Sequence, residues 1–502
     1  MRPSLSRFTT TSVVALIVVA CGSTASQDPV TTPSSAPQGS PSATVMPLAT
    51  PSASTASPSL PPASPSASLP VRRSAREIGL AVLMAPRPDG TLFVSIPRPG
   101  GSVLTLLDRR GAPLPGWPIV VRDATACGQL LPVENGSVRV VCTKENPDGN
   151  MYDPMGAFAF DGNGRALAGW PVDLLGARFS GRVIGEELTL FEDRPGSDVI
   201  EEGQPTYEGA LVTIAADGSL TSGAGVPMGQ TCCGDVWAVG PDGVAYGVVP
   251  ATSDLSPQER PSEITALDLS GERAGWPISI DGSTSGPEFG PNGRIFLTVA
   301  TPSRGTTRVL AIDSDGHGVT ARSAELPIET GALWNGLDGT YECGVPVPKP
   351  PLVAQDGTVF VVSEIDTAIV ALDSSLAVMG GWPYEPATPL VSRYAPAEGD
   401  LTCGSLAIPA VGTDNILYLP LQARTATTGG SLAAVGPDGR VRPGWPVELK
   451  RPGSEFWSVV VGSDGTAYAL AIEPEANDTS SATILAIAPD STVLWTTTIL
   501  EP

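Results

Sequence analysis

The sequence predicts an all-β chain folded as an eight-bladed β-propeller of four-stranded antiparallel blades, with seven blades as the alternative. Three observations carry that reading. The tripeptide Gly-Trp-Pro takes up five of the nine tryptophans. Its copies recur at roughly fifty residues or at twice that spacing. Each interval also repeats one order of short apolar strands and Gly-centred turns.

The period is read from the prolines that close the Trp-Pro pairs: Pro118, Pro171, Pro277, Pro383 and Pro446, at gaps of 53, 106, 106 and 63 residues. Midway through the two double gaps lie Gly225-Val226-Pro227 and Glu325-Leu326-Pro327, with Val or Leu in place of Trp. The corrected gaps are 53, 56, 50, 50, 56 and 63. Val493-Leu494-Trp495-Thr496 follows about 50 residues after Pro446 as an eighth copy without the proline. Self-similarity at such a period marks a repeat architecture.

Within a unit, VWAVGPDGVAYGVV and then SEITALDLSGERAGWPISI show the common grammar. A short apolar strand enters a tight turn and a second strand leaves it. Those turns are Asp89-Gly90, Asn135-Gly136, Asp242-Gly243, Asn292-Gly293, Asp356-Gly357 and Asp464-Gly465. Asn-Gly and Asp-Gly supply the positive φ that two-residue hairpins need. A third strand reaches a second turn, as in Asp108…Gly111, Asp161…Gly164, Asp268…Gly271 and Asp313…Gly316, and the fourth strand carries the Trp-Pro. Four short strands repeated radially make propeller blades.

The Gly-Trp-Pro then has a structural role. A Trp near the rim wedges between neighbouring blades and contributes about 2–3 kcal/mol of buried apolar surface. Proline is tolerated because an outer edge strand needs no donor on its free side, and it blunts that edge against pairing.

The run Ala266-Leu267-Asp268…Gly271…Trp276 resembles the tryptophan-docking repeat of the quinoprotein-like (PQQ-like) propeller superfamily. Ala159…Asp161…Gly164…Trp170 and Ala371…Asp373…Trp382 are similar to it, with one extra residue before the Trp. The resemblance covers nearly all of residues 76–502 and implies the fold more than any one function. The superfamily holds pyrroloquinoline-quinone enzymes and also non-catalytic lipoproteins, one of them in outer-membrane protein assembly.

The chain opens MRPSLSRFTTTSVVALIVVACGS, in which Arg2 and Arg7 precede an apolar run, Val13 to Ala20. That run is short of the roughly 20 apolar residues a spanning helix needs and has the shape of a secretory signal. Val18-Val19-Ala20-Cys21 resembles the bacterial lipobox. This resemblance implies a signal peptide over 1–20 and acyl chains on Cys21, which anchor the chain in the cell membrane facing away from the cytoplasm. Residues 21–72 are dominated by Pro, Ser, Ala and Thr. Such a composition does not bury enough apolar surface to offset its ordering entropy, so it is expected to act as an extended tether. The propeller takes residues 73–502.

Six cysteines remain after Cys21, and an exported domain makes disulfides the default. Cys127 and Cys142 flank the Asn135-Gly136 hairpin, which places them on adjacent strands of one blade. Cys343 and Cys403 precede inner strands of neighbouring blades, and Cys232-Cys233 are left to close on each other, with all fifteen connectivities open. Cys127, Cys233, Cys343 and Cys403 are each followed by Gly and are expected around the channel mouth.

The formal charge is −23 and only three lysines are present. That balance disfavours nucleic acid, whose binding rests on Lys/Arg neutralising phosphates. His317, the single histidine, lies in the turn DSDGHG and excludes His-rich zinc sites. The acidic turns are too short to supply the six to eight oxygens calcium takes.

The first-to-second and third-to-fourth turns are short throughout, so one face of the ring is clipped. The long loops emerge on the other face, among them ETGALWNGLDGTYECGVPVPKPP and YEPATPLVSRYAPAEGDLTCGS. Trp334, Tyr341, Tyr384 and Tyr394 in these two make that face the expected interaction surface.

The function expected is that of a tethered, monomeric binding or assembly scaffold that is not an enzyme and needs no cofactor or metal. Its partner is a protein or glycan. The alternative is a PQQ-dependent oxidoreductase with calcium, which the resemblance implies through a vicinal Cys232-Cys233 disulfide beside the quinone.

Overall fold

The computed structural model describes residues 82–98, 100–122, 124–144, 155–174, 181–199, 205–228, 236–250, 262–301, 306–326, 328, 349–363, 368–388, 390, 409–425, 427–474 and 480–500. The signal peptide, Cys21 and the tether lie outside them. Eight antiparallel sheets follow one another along the chain: residues 83–122, 124–174, 182–228, 236–280, 283–322, 352–384, 410–448 and 455–500. Together they form an eight-bladed propeller ring. The eight-blade count is right, and seven is not. The described helix is a single 3-10 turn at Pro291–Gly293, so among the described residues no helix is long and apolar enough to cross a membrane.

Blade 1 shows the pattern. Its strands Leu83–Pro86, Leu92–Arg98, Gly101–Leu107 and Ile119–Arg122 pair in sequence order from the axis to the rim. In blade 6 the rim is made by isolated bridges, Leu372 to Val378 and Ile369 to Tyr384. The alternating apolar residues of these strands collect into eight core layers, one at each junction between neighbouring blades.

The Trp-Pro units do what the repeat predicts, with one difference in detail. Trp117, Trp170, Trp276, Trp382 and Trp445 are all buried. The Gly-Trp-Pro stands just outside the regular fourth strand instead of within it: in blade 1 it falls between the bridge at Pro113 and the strand that begins at Ile119. The five Trp-Pro peptide bonds are cis. Gly116 adopts φ +88°, and a Cβ there would meet the Asn163 carbonyl of blade 2 at 2.0 Å. This departure from the ladder sends the indole into the next blade. Trp117, Trp170, Trp382 and Trp445 donate their indole N–H to the carbonyls of Gly162, Ala216, Pro437 and Pro489 at 2.9–3.1 Å.

A second residue class accompanies the tryptophans. The second strand presents Phe93, Tyr246, Phe360 or Tyr418 edge-on to the Trp of its own blade, with centroids 5.5–5.6 Å apart. Blade 2 has Arg139 at that position, fully buried, its guanidinium 5.2 Å from the Trp170 ring centre. Blade 3 lacks both partners, having Thr189 there and Val226 for Trp. Val226 is too short to bridge the gap. At the rim of this junction the Ala224 N–H donates to the Leu269 carbonyl of blade 4 at 3.2 Å, and deeper in the same layer Trp237 from the inner strand of blade 4 stacks on Phe191 at 4.1 Å and 5°.

The ring closes without strand exchange, since blades 1 and 8 are each built from their own contiguous chain. Met84, Leu92, Val94 and Ile96 of blade 1 pack against Tyr468, Leu470 and Ile484 of blade 8. Tyr468 and Thr497 donate to the carbonyls of Gly90 and Gly111 at 3.3 and 2.8 Å.

Candidate functional site

The two faces of the ring differ in how they are built. On one face six of the eight first-to-second turns are tied down by an aspartate or asparagine whose side-chain oxygen accepts a backbone N–H two residues on, the turns at Gly185-Glu186 and Asn292-Gly293 being the exceptions. Examples are Asp89 with Thr91, Asn135 with Ser137, Asp356 with Thr358 and Asp464 with Thr466, at 2.8–3.0 Å. The third-to-fourth turns repeat the device at Asp108, Asp161, Asp217, Asp268 and Asp373. Hydrogen bonds from the Ser219, Ser270 and Ser375 hydroxyls, and then from backbone N–H groups, hold the carboxyls of Asp217, Asp268 and Asp373 below their ordinary range, and backbone N–H groups do so for Asp108. The acidic turns therefore serve hairpin geometry. Among the described residues no three His, Cys, Asp or Glu side chains converge to hold a metal ion.

On the opposite face the strand ends are joined by longer connections, such as those between Lys144 and Met155, Arg322 and Leu352, and Tyr384 and Ala410. Trp334, Tyr341 and Tyr394 lie outside the described residues. Tyr384 is described, and it is half-buried in blade 6. Its backbone exchanges hydrogen bonds with Ile369 at 2.8 and 2.9 Å, and its ring is 6.5 Å from that of Trp382. Burial raises its phenol pKa.

Cys127 and Cys142 are directly opposite one another on the inner two strands of blade 2 and form a disulfide, as their spacing predicts. Cys127 is buried in the layer between blades 1 and 2 instead of lining the channel mouth. A bulge at Gly128 separates it from Gln129, which exchanges two hydrogen bonds with the Gly181 backbone of blade 3. Cys232, Cys233, Cys343 and Cys403 lie outside the described residues.

His317 is exposed in its turn, with Nδ1 3.0 Å from Asp315 Oδ2. The extra glycine beside it shifts the turn, and Trp276 is the one Trp-Pro indole whose buried N–H finds no acceptor. Near this irregular junction lies a cavity of about 360 Å³ lined by Arg182, Pro241, Asp242, Phe289, Asn292 and Ser314. Arg182, on the inner strand of blade 3, donates to the Val239 carbonyl of blade 4 at 3.4 Å. Its guanidinium stands 5.8 Å from the Phe289 ring centre in blade 5. Beside Phe289, burial pushes the Glu288 carboxyl up to about 7, against the opposing pull of Arg182. Sequence reasoning missed this cluster. The available signal was an arginine opening an inner strand in RVIGEEL, where no other described inner strand carries a basic residue.

No family model matches the chain, and no curated protein matches it. Among solved structures it is similar to streptogramin B lyase at 13% identity, TM-score 0.35, covering 72% of this chain and 94% of that one. It is similar to the propeller domain of the Trilobed protease from Pyrococcus furiosus at 8% identity, TM-score 0.41, covering 84% and 100%. Puromycin hydrolase matches at 16% identity, TM-score 0.41, covering 84% of this chain and 61% of the hydrolase. These likenesses concern the propeller fold alone and pass no activity to this chain. They do correct one expectation, that the chain is not an enzyme, because solved propellers it matches are named for a lyase and a hydrolase. That expectation rested on missing catalytic motifs. Function resides in sites grafted onto a fold, and a ring gathers side chains from distant blades, so a missing local motif is no argument.

Proposed function

We propose that this protein is a lipid-anchored envelope protein whose propeller binds a protein or glycan partner through its long-loop face. Lipid on Cys21 holds it to the membrane, and the Pro/Ser/Ala/Thr-rich tether carries the ring away from the surface. The observation that supports the reading is the asymmetry of the ring. One face is closed by short turns whose side chains bond to their own backbone, which leaves the long connections of the other face as the variable surface on a rigid scaffold.

The test places a photo-crosslinking residue in the full chain, in cells, at the exposed positions Glu385 and Thr427 of the long-loop face. Thr413 and Arg440 on the short-turn face serve as comparison. Adducts confined to the first pair are expected. Adducts only from the second pair would overturn the assignment of the face. Cys21→Ala should move the protein out of the membrane fraction, and its retention there would overturn the anchor.

A further inference from the structure

The cavity beside Arg182 stands apart from the long-loop face and carries its own inference. Among the described inner-strand residues Arg182 is the only basic one. Its one hydrogen bond, to Val239 O, is long, and it makes no ion pair among the described residues. A guanidinium holds five N–H donors in a fork that matches a carboxylate, and most of that fork is unused here.

The rest of the wall decides what fits against it. Asp242 is occupied: its Oδ2 accepts from the Tyr246 hydroxyl at 2.7 Å and from Arg273 Nη1 at 3.4 Å, and its Oδ1 accepts from Val244 N at 3.3 Å. Pro241 and Phe289 give an apolar surface, and Asn292 and Ser314 add polar atoms at the rim. The volume, about 360 Å³, falls at the small end of ligand sites, on the order of 300–1,000 Å³. Burial leaves the Glu288 carboxyl partly protonated at neutral pH, which lessens its repulsion of an anion without removing it.

We propose that this cavity binds a small organic carboxylate, with its charge on the Arg182 fork and its apolar body against Phe289 and Pro241. A free metabolite-sized acid and the C-terminal carboxylate of a peptide share this chemistry.

The test follows 4-fluorobenzoate by fluorine NMR on the full chain in detergent, with 4-fluorobenzamide as the neutral isostere. The benzoate is expected to bind at least about tenfold more tightly, a factor that one charge-assisted bidentate contact supplies. Arg182→Gln, checked for an unchanged melting profile, should remove the preference. Equal binding of the two probes, no binding of the benzoate, or a preference that survives in folded Arg182→Gln would each overturn the proposal. The contrast between probes on the unmodified protein decides the matter even where the variant does not fold. A peptide ending in 4-fluorophenylalanine, free or amidated, separates the sources. Tighter binding of its free-acid form than of the benzoate assigns a peptide C-terminus, and weaker binding assigns a free acid.

Discussion

The Trp382 indole N–H donates to the Pro437 carbonyl at 2.9 Å, tying blade 6 to blade 7, whereas the equivalent N–H of Trp276 has no acceptor. Both rings are equally buried, at 8% exposure, and both meet an aromatic edge within their own blade. Trp382 has one further ring neighbour, Tyr384 at 6.5 Å, so the pair separates the hydrogen bond from most of the packing.

Replacing each by phenylalanine removes similar volume at both sites but a hydrogen bond at only one. Trp382→Phe is expected to cost about 1 kcal/mol more than Trp276→Phe. Urea unfolding of the two variants side by side reads the difference. An equal loss would show that these bonds add nothing beyond ring burial.

Arg139 occupies a slot that six other blades fill with Phe or Tyr: Phe93, Tyr246, Phe296, Phe360, Tyr418 and Tyr468. Its Nη1 and Nη2 donate to Ser137 Oγ at 3.0 Å and the Glu186 carbonyl at 3.1 Å, while Nε is buried without a partner. Desolvation lowers its pKa against the pull of Glu186. Restoring an aromatic exchanges a buried charge for packing, so Arg139→Phe should stay within about 1 kcal/mol of the parent. Arg139→Ala leaves a cavity under Trp170 and should cost about 3 kcal/mol. Equal losses in the two would show that the charge itself holds this junction.

Blade number and order were legible because one tripeptide keeps phase around the ring, and the Val226 and Leu326 copies preserve the spacing after losing the Trp. The Cys127–Cys142 bridge was legible because a two-residue hairpin fixes which positions face each other. Ring closure was not, since it rests on side chains such as Met84 and Tyr468 that meet only when the first and last blades come together. Trp237 was equally silent: it stacks on Phe191, a residue in another blade. Arg182 and Phe289 lie more than a hundred positions apart on strands of two and three residues, too short for any periodicity to pair them.

Glu288 makes stability depend on pH. Its carboxyl titrates at about 7 in the fold against an ordinary 4.5, so the folded chain keeps a proton that the unfolded chain releases. Its contribution is most favourable below about pH 4.5 and falls as pH rises from there through 7. Glu288→Gln removes that loss. At pH 8 the variant should be more stable by about 1–3 kcal/mol, the lower figure allowing for solvent screening. The difference should vanish near pH 4. A constant difference across the range, measured by denaturant titration at several pH values, would mean that the proton does not carry it.

Gly100 and Gly111 share a backbone conformation, φ +77° and +78°, but not an environment. A Cβ on Gly100 meets nothing within 4 Å, so Gly100→Ala should cost only the left-handed penalty, about 1–2 kcal/mol. A Cβ on Gly111 would stand 2.4 Å from Thr497 Oγ1 and 2.6 Å from Trp495 Cε3, across the seam between blades 1 and 8. Neither atom has room to give way, because Trp495 is packed on Tyr468 at 5.9 Å and Thr497 donates to the Gly111 carbonyl. Gly111→Ala should therefore cost about 3 kcal/mol or more. The seam has no shared strand to hold it, so the damage should also be local. Proteolysis of native Gly111→Ala should cut first in blades 1 and 8, while Gly100→Ala keeps the parental pattern. Matching stability losses in the two variants would show that the seam is loose enough to absorb a methyl group, and that strand order alone maintains the ring.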